Sequence, residues 1–131
     1  MYEYHIEGGF PIKGTVKASG NKNAALPCIA AALLTEETVT IRNLPEIEDM
    51  QVMLEIFAAL GGEVSRIATN EYALTMKKVA RNDIPVALSK KIRASILFAG
   101  PLVARSGKAV LPPPGGDVIG RRRLDTHFLS L

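Results

Sequence analysis

The sequence predicts an α/β (α+β) fold that is built from repeated β-α-β-α-β-β units. Segments with strand periodicity and segments with helical periodicity alternate along the chain, and the same order begins again in its second half. Each half also places a cation, Lys22 or Arg93, near the start of an apolar helix. We therefore expect an N-terminal strand region at residues 1–20, a first unit at 21–80 and a second unit at 81–131.

The first half of the chain predicts the order strand, helix, strand, helix, strand, strand. Asn21 or Asn23 can cap the first helix, and Pro27 falls near its first turns, where a missing N–H costs least. The second helix is predicted from apolar residues at helical spacing and ends at Gly61 and Gly62. The predicted bounds are residues 14–19, 20–34, 37–45, 47–60, 63–67 and 71–76, with a turn at 69–70 before the last strand.

The second half begins the same order and does not finish it. Its predicted elements are a strand at residues 83–88, a helix at 89–105 that breaks at Gly100 and Pro101, a strand at 107–112, and a helix that starts within 122–131. Because the closing pair of strands is missing, we expect the chain to be a piece of a longer protein. Apolar side chains of the second unit, such as Leu97, Phe98 and Leu102, are then expected to be uncovered.

Composition indicates a globular protein, and the distribution of charge is compatible with an anionic partner. Hydrophobic residues make up 47% of the 131 residues and the net charge is +3, with cations in short clusters that suit an anionic small molecule at least as well as a polymer. The lone cysteine, Cys28, predicts a reducing compartment, and its apolar neighbours predict a buried packing residue. No signal peptide and no membrane span are predicted, so that we expect a cytoplasmic protein without nucleic-acid or membrane partners.

One stretch, "LPPPGGDVIGRRRLDTH", places a single carboxylate, Asp117, after three prolines and two glycines and before three arginines. Such a stretch is most often a plain surface turn followed by a solvated basic face. Asp125, His127 and Ser130 are close in sequence, but this closeness is weak support for a hydrolase triad, and His127 is expected to cap or pack a helix. No cluster of ligand residues predicts a metal site.

Four segments, taken together, carry a resemblance to a known family. "SGNKNAALPCIAAALLTEETVTIRNLP", "LGGEV", "RASILFAGPLVAR" and "PPGGDVIGRRRLDTH" resemble the UDP-N-acetylglucosamine 1-carboxyvinyltransferases, a family of enolpyruvyl transferases. The resemblance runs over essentially the whole chain and covers about the first third of such an enzyme. It implies two domains of repeated β-α-β-α-β-β units with the active site between them. It also implies transfer of enolpyruvate from phosphoenolpyruvate to the 3-hydroxyl of UDP-N-acetylglucosamine, the first committed step of peptidoglycan synthesis.

The resemblance also assigns roles to residues that match its motifs. Lys22, Asn23 and Arg122 are expected to bind phosphoenolpyruvate, and Asp117, on the loop at 111–121, takes the place of a loop acid that is most often cysteine. The residues expected on the side of UDP-N-acetylglucosamine are Arg93, Arg122, Arg123, Leu124, Asp125 and Thr126. "RRRLDTH" lacks a proline that the family commonly has here, which leaves open which residues of 121–127 contact the nucleotide. Neither a metal nor a cofactor is implied.

The implied chemistry agrees with the residue types. Arg and Lys side chains match phosphate and carboxylate groups, and a loop acid that closes over the substrates can deliver a proton and exclude water. An aspartate in place of the loop cysteine implies fosfomycin resistance, and the pathway implies roles in cell shape and cell division. Two alternatives stay open: a sibling enolpyruvyl transferase that acts on shikimate 3-phosphate, and a non-catalytic anion-binding fragment that pairs with the remainder of its own chain.

Overall fold

The computed structural model describes residues 2–116 and 123–130 of the chain. Two helices and a three-stranded sheet make up its first half, in the predicted order from residue 20 onward. The elements are α1 at Lys22–Ala31, a 3-10 helix at Ala32–Leu34, β1 at Val39–Ile41, α2 at Glu48–Ala59, β2 at Glu63–Ala68 and β3 at Glu71–Thr75. The sheet is antiparallel with the strand order β1-β3-β2. Leu74 therefore lies between Val39 of β1 and Val64 of β2.

Local sequence signals account for the ends of both long helices. The side chain of Asn21 accepts a hydrogen bond from the Ala24 backbone N–H at 3.1 Å, so that Asn21 and not Asn23 caps α1. Pro27 is the sixth residue of α1 and thus lies in the helix interior, where it cannot donate to the Asn23 carbonyl. α2 ends before Gly62, where an added Cβ would lie 2.2 Å from a ring carbon of Phe57, so that only glycine fits.

The second half is more irregular than predicted. α3 covers Val86–Ser89, a second 3-10 helix covers Arg93–Phe98, α4 covers Ala99–Ser106, and α5 covers Asp125–Ser130. The strands predicted at residues 83–88 and 107–112 reduce to one parallel bridge between Asp83 and Val110. Pro85 has no N–H for a sheet ladder, and it stands directly before α3.

The long helix predicted at residues 89–105 is divided, but not where the sequence predicts. Ile92 is extended, which separates α3 from the 3-10 helix, and the 3-10 helix passes into α4 after Phe98. Gly100 and Pro101 lie in the first turn of α4, where the missing N–H of a proline is tolerated. The predicted break at these two residues is therefore wrong. Gly107, with a φ of 68°, ends α4 in the left-handed conformation.

The strand predicted at residues 14–19 is not formed, and residues 2–19 contain no regular secondary structure. A strand needs a partner for its N–H and C=O groups, and within residues 2–116 and 123–130 none pairs with this segment. Its apolar side chains stand exposed at mostly alternating positions. They are Tyr2, Tyr4, Ile6, Phe10, Ile12 and Val16.

The core joins both halves of the chain. α1 contacts α2 and the 3-10 helix Arg93–Phe98, and α4 packs against the 3-10 helix Ala32–Leu34. The largest fully buried side chains come from these elements, from β3 and from the residues around them. They are Phe57, Phe98, Ile29, Leu33, Leu44, Met50, Met53, Ile56, Leu60, Leu74, Met76 and Ile84. The packing brings the start of α1, the start of α2 and the turn before Arg93 to one place.

Two expectations about burial are wrong. Phe98 and Leu102 are fully buried and only Leu97 is exposed, because the second half packs on the first rather than leaving its helix face open. Cys28 is exposed, since the buried residues of α1, such as Leu26 and Ile29, occupy another side of the helix. The apolar composition around Cys28 indicated a buried helix but could not tell which side of it is covered.

Candidate active site

A cavity of about 550 Å³ lies where α1, α2 and the 3-10 helix Arg93–Phe98 meet. Among its described lining residues four are cations, and one, Asp49, is an acid. The lining residues are Lys22, Asn23, Leu26, Asp49, Lys91, Ile92, Arg93, Ala94, Ile96, Leu97, Gly116, Arg123 and Leu124. Cations from widely separated parts of the sequence thus converge on one space that can hold an anion.

α1 brings Lys22 and Asn23 to the cavity as its first two residues. The Asn21 cap fixes where the helix starts, and the first turn of α1 contains no acidic residue. The positive end of the helix dipole and the Lys22 ammonium therefore act in the same direction. These two residues are where the sequence predicts a contact with a phosphorylated substrate.

Lys22 forms an ion pair with Asp49, from the first turn of α2. The Lys22 side chain is 51% exposed and that of Asp49 is 28% exposed. A carboxylate is favoured in the first turn of a helix, so that Asp49 stabilises its own helix while it holds the Lys22 ammonium at the cavity. The sequence prediction missed Asp49, because an acid at a helix start is an ordinary feature with no signal of function.

Arg93 enters the cavity from the second half of the chain. It is the first residue of the 3-10 helix and follows the extended residue Ile92. The backbone of Gly116 packs against it, since a Cβ added at Gly116 would lie 3.2 Å from the backbone nitrogen of Arg93. Lys91 lines the cavity beside Arg93 and lies 3.9 Å from a carboxylate oxygen of Glu55. Lys22 and Arg93, which the resemblance assigns to the two substrates, thus line the same cavity.

The segment after the loop contributes only in part. Arg123 and Leu124 line the cavity, whereas Asp125 and Thr126, also predicted on the nucleotide side, are not among its lining residues. Arg123 donates from Nε to both carboxylate oxygens of Asp125, at 3.1 and 2.9 Å. This hydrogen bond, with one from the backbone of Asp125, holds the pKa of the Asp125 carboxyl below its usual range. Asp125 therefore orients Arg123 from the start of α5.

Two predicted site residues, Asp117 and Arg122, lie outside the described residues. Their roles as loop acid and as a partner of phosphoenolpyruvate stay predictions. Of the loop at 111–121, the described residues Leu111 to Gly116 reach the cavity at Gly116.

Within the described ranges, no group of three or more His, Cys, Asp and Glu side chains could hold a metal ion. None of the helices in the same ranges is long and apolar enough to cross a membrane.

Comparison with known proteins identifies the family. The sequence model of EPSP synthase (3-phosphoshikimate 1-carboxyvinyltransferase) matches residues 6–131. A protein of Treponema denticola named UDP-N-acetylglucosamine 1-carboxyvinyltransferase is 68% identical over 131 residues, which are 100% of this chain and 31% of that protein. One of the same name from Treponema pallidum is 62% identical over 98% of this chain and 30% of its own length. The chain thus spans about 30% of the curated relatives that it matches.

A solved structure supports the same conclusion. The crystal structure of the enolpyruvyl transferase NikO from Streptomyces tendae matches with a TM-score of 0.66 and 30% identity, over 76% of this chain and 23% of that one. This similarity confirms the predicted α/β fold class, and the matching sequences confirm the resemblance carried by the motifs. The chain belongs to the EPSP synthase (3-phosphoshikimate 1-carboxyvinyltransferase) family.

Proposed function

We propose that this chain is the part of a UDP-N-acetylglucosamine 1-carboxyvinyltransferase that supplies its phosphoenolpyruvate-binding cations and its loop acid. The observation that carries the proposal is the cavity at which Lys22, Asn23 and Arg93 meet. The names of the Treponema relatives favour UDP-N-acetylglucosamine as the acceptor. In this proposal the activity belongs to the whole protein, in which residues 21–80 and 81–131 are two units of the repeated fold.

The reaction has an addition step and an elimination step. In the addition, the sugar 3-hydroxyl oxygen bonds to C2 of phosphoenolpyruvate, a proton reaches the methylene carbon, and a base takes the hydroxyl proton. In the elimination, the new methyl group loses a proton and phosphate leaves C2, which restores the double bond. Asp117 is the proposed acid of the addition, and the base is supplied by the rest of the protein.

The cations suit both substrates. Lys22, Asn23 and Arg122 are the proposed ligands of phosphoenolpyruvate, whose phosphate and carboxylate match fixed N–H donors. Arg93 and Arg122 are the proposed partners of the sugar nucleotide. Residues Arg123–Thr126 are proposed to bind the nucleotide part of the same substrate. In this segment Leu124 supplies an apolar contact and Asp125 holds Arg123 in place.

Asp117 must be protonated to act as an acid. The reference pKa of aspartate is about 3.9, and the neighbouring arginines favour the carboxylate form. The negative charge of phosphoenolpyruvate and the removal of water both favour the protonated form. Asp117 is therefore proposed to become an acid only when both substrates are bound and the loop has closed.

The proposal is tested with a hybrid protein. The chain is joined to the C-terminal part of the Treponema denticola relative, which is 68% identical to it over 131 residues. The hybrid should release phosphate from phosphoenolpyruvate when UDP-N-acetylglucosamine is added, and the chain alone should not. A hybrid that folds and releases no phosphate, or activity of the chain alone, would contradict the proposal.

The family description favours one second candidate, since it names a 3-phosphoshikimate 1-carboxyvinyltransferase. Shikimate 3-phosphate in place of the sugar nucleotide is therefore the second arm of the assay. Asn23 follows Lys22 in this chain, where that sibling typically has serine, which argues against shikimate 3-phosphate. Phosphate release with shikimate 3-phosphate and none with UDP-N-acetylglucosamine would show that shikimate 3-phosphate is the acceptor.

The loop acid is tested by fosfomycin, an epoxide that alkylates the cysteine of the family's loop. A carboxylate is a weaker nucleophile than a thiolate, so that the hybrid with Asp117 should resist the drug and the Asp117→Cys hybrid should be sensitive. Mass spectrometry after treatment in the presence of UDP-N-acetylglucosamine measures the label. Stoichiometric labelling of the aspartate form, or no labelling of the cysteine form, would remove Asp117 from this role.

Peptidoglycan synthesis, cell shape and cell division are the processes that the proposed activity would serve.

A further inference from the structure

The first part of the loop, Leu111–Gly116, rests on the turn that leads to Arg93, and we call these residues the proximal arm. The Gly115 backbone N–H donates to the Ser89 carbonyl at 2.9 Å. The two backbones touch at this point, because a Cβ added at Gly115 would lie 1.7 Å from the Lys90 carbonyl oxygen. One residue further, Gly116 packs against Arg93. The arm therefore follows the turn as far as the cavity.

Ser89 binds the proximal arm twice. Its carbonyl accepts from Gly115, and its hydroxyl donates to the Pro112 carbonyl at 3.2 Å. Three of the residues from Pro112 to Gly116 are prolines, which have no backbone N–H, so that this segment has only its two glycine N–H groups and its carbonyls to offer. Ser89, at the end of α3, thus accepts one hydrogen bond from the arm and donates another to it.

The hydroxyl of Ser89 is buried beside that of Ser95, and each residue is only 1% exposed. The two hydroxyl oxygens lie 3.3 Å apart, and Ser95 also donates to the Ile92 carbonyl at 3.0 Å. The contacts Ser89–Ser95, Ser89–Pro112 and Ser95–Ile92 share only two hydroxyl protons. Ser89 can therefore donate to Pro112 only while it does not donate to Ser95. Because water does not reach this pair, a lost donor is not readily replaced.

We propose that Ser89 is a positioning residue that anchors the proximal arm to the turn of Arg93, so that the loop starts from a fixed point beside the substrate cavity. Two bonds to backbone groups three residues apart set both the position and the direction of the arm. The kinetic part of this inference rests on the proposed function, whereas the anchoring stands on the contacts alone.

The anchoring is tested by hydrogen exchange of the Gly115 amide in the chain itself. Ser89→Ala removes the bond to Pro112, and the exchange rate should rise by ~2- to 10-fold, the range expected for one hydrogen bond. Ser95→Ala is the matched control, because it removes an equally buried hydroxyl that does not bind the arm. It should not raise the rate, since it only removes the competing partner of the Ser89 hydroxyl. Ser89→Cys, with a weaker donor, should give an intermediate rate. Equal rates in wild type and Ser89→Ala, or equal acceleration by Ser95→Ala, would overturn the anchoring.

The positioning role is tested in the hybrid with the Treponema denticola relative. Ser89→Ala should lower kcat by a similar factor of ~2- to 10-fold, with an unchanged KM for phosphoenolpyruvate, and Ser89→Cys should restore part of kcat. Faster exchange with an unchanged kcat would overturn the role in positioning. A hybrid that is inactive with Ser89 intact would contradict the proposed function and not the anchoring, which the exchange measurement decides by itself.

Discussion

Arg105 joins the two halves of the chain, and its replacement should be costly. From α4 its guanidinium donates to the Leu33 carbonyl at 3.0 Å and the Met76 carbonyl at 3.2 Å, and its side chain is only 17% exposed. Arg105→Met keeps an apolar stem and removes the donors. Each of the two part-buried bonds to a charged donor is worth ~1.5 kcal/mol at the low end. The free energy of unfolding should therefore fall by about 3 kcal/mol.

Two further contacts of Arg105 should add little to the free energy of unfolding. Its bond to the Lys77 carbonyl is exposed, and Glu36, at 3.6 Å, is 72% exposed, so that water replaces both at little cost. Urea unfolding of the chain, followed by circular dichroism, measures the change. Arg66→Met is the matched control, because Arg66 pairs with Glu46 at the surface, and its replacement should cost less than ~1 kcal/mol. A loss below ~1 kcal/mol for Arg105→Met, or an equal loss in the control, would refute the reasoning.

Three other predictions follow from single residues. Gly115→Ala should lower the free energy of unfolding by roughly 1–3 kcal/mol, because the added Cβ meets a backbone oxygen. Gly100→Ala should not lower it, because its added Cβ would meet no atom within 4 Å beyond its own stretch of helix, and equal urea midpoints of the two variants would contradict this. The hydrogen bond from Arg81 holds the pKa of Asp83 below its usual range, so that the stability it adds is present near neutral pH and is lost as the pH falls through the folded pKa. The difference in urea midpoint between wild type and Asp83→Asn should therefore shrink on acidification, and a constant difference would argue against the pair. Lys22→Glu in the hybrid should lower kcat/KM for phosphoenolpyruvate by at least about a hundredfold, and wild-type kinetics would remove Lys22 from the site.

The first half of the fold could be predicted because its signals are local. Apolar residues at helical spacing, the Asn21 cap and the glycines after α2 each act within a few residues. In the second half, α4 and α5 coincide with predicted helices for most of their length. The rest could not be predicted, because a six-residue 3-10 helix and a single bridge are too short to show a periodicity. The missing strand at 14–19 has a different cause, since a strand depends on a partner that is not encoded nearby.

The candidate site was predictable to the extent that its residues belong to motifs. Lys22, Asn23 and Arg93 were named from the sequence, and the structure brings them to one cavity. Asp49 and Ser89 were not named, because their importance comes from what lies opposite them in the fold. No pattern in the sequence places the end of α3 beneath Pro112.

The order of strands in the sheet has a consequence for how the chain folds. β2 and β3 are neighbours in sequence, and their turn is set by Asn70, whose φ of 59° is the left-handed conformation that asparagine tolerates. Such a hairpin forms within about 1–10 µs. β1, in contrast, pairs with β3 across the intervening α2 and β2. Closing that longer loop costs additional entropy, so that β1 should join the sheet last. Contacts of β1 are then mostly absent from the transition state, and their strength should govern how fast the sheet opens rather than how fast it forms.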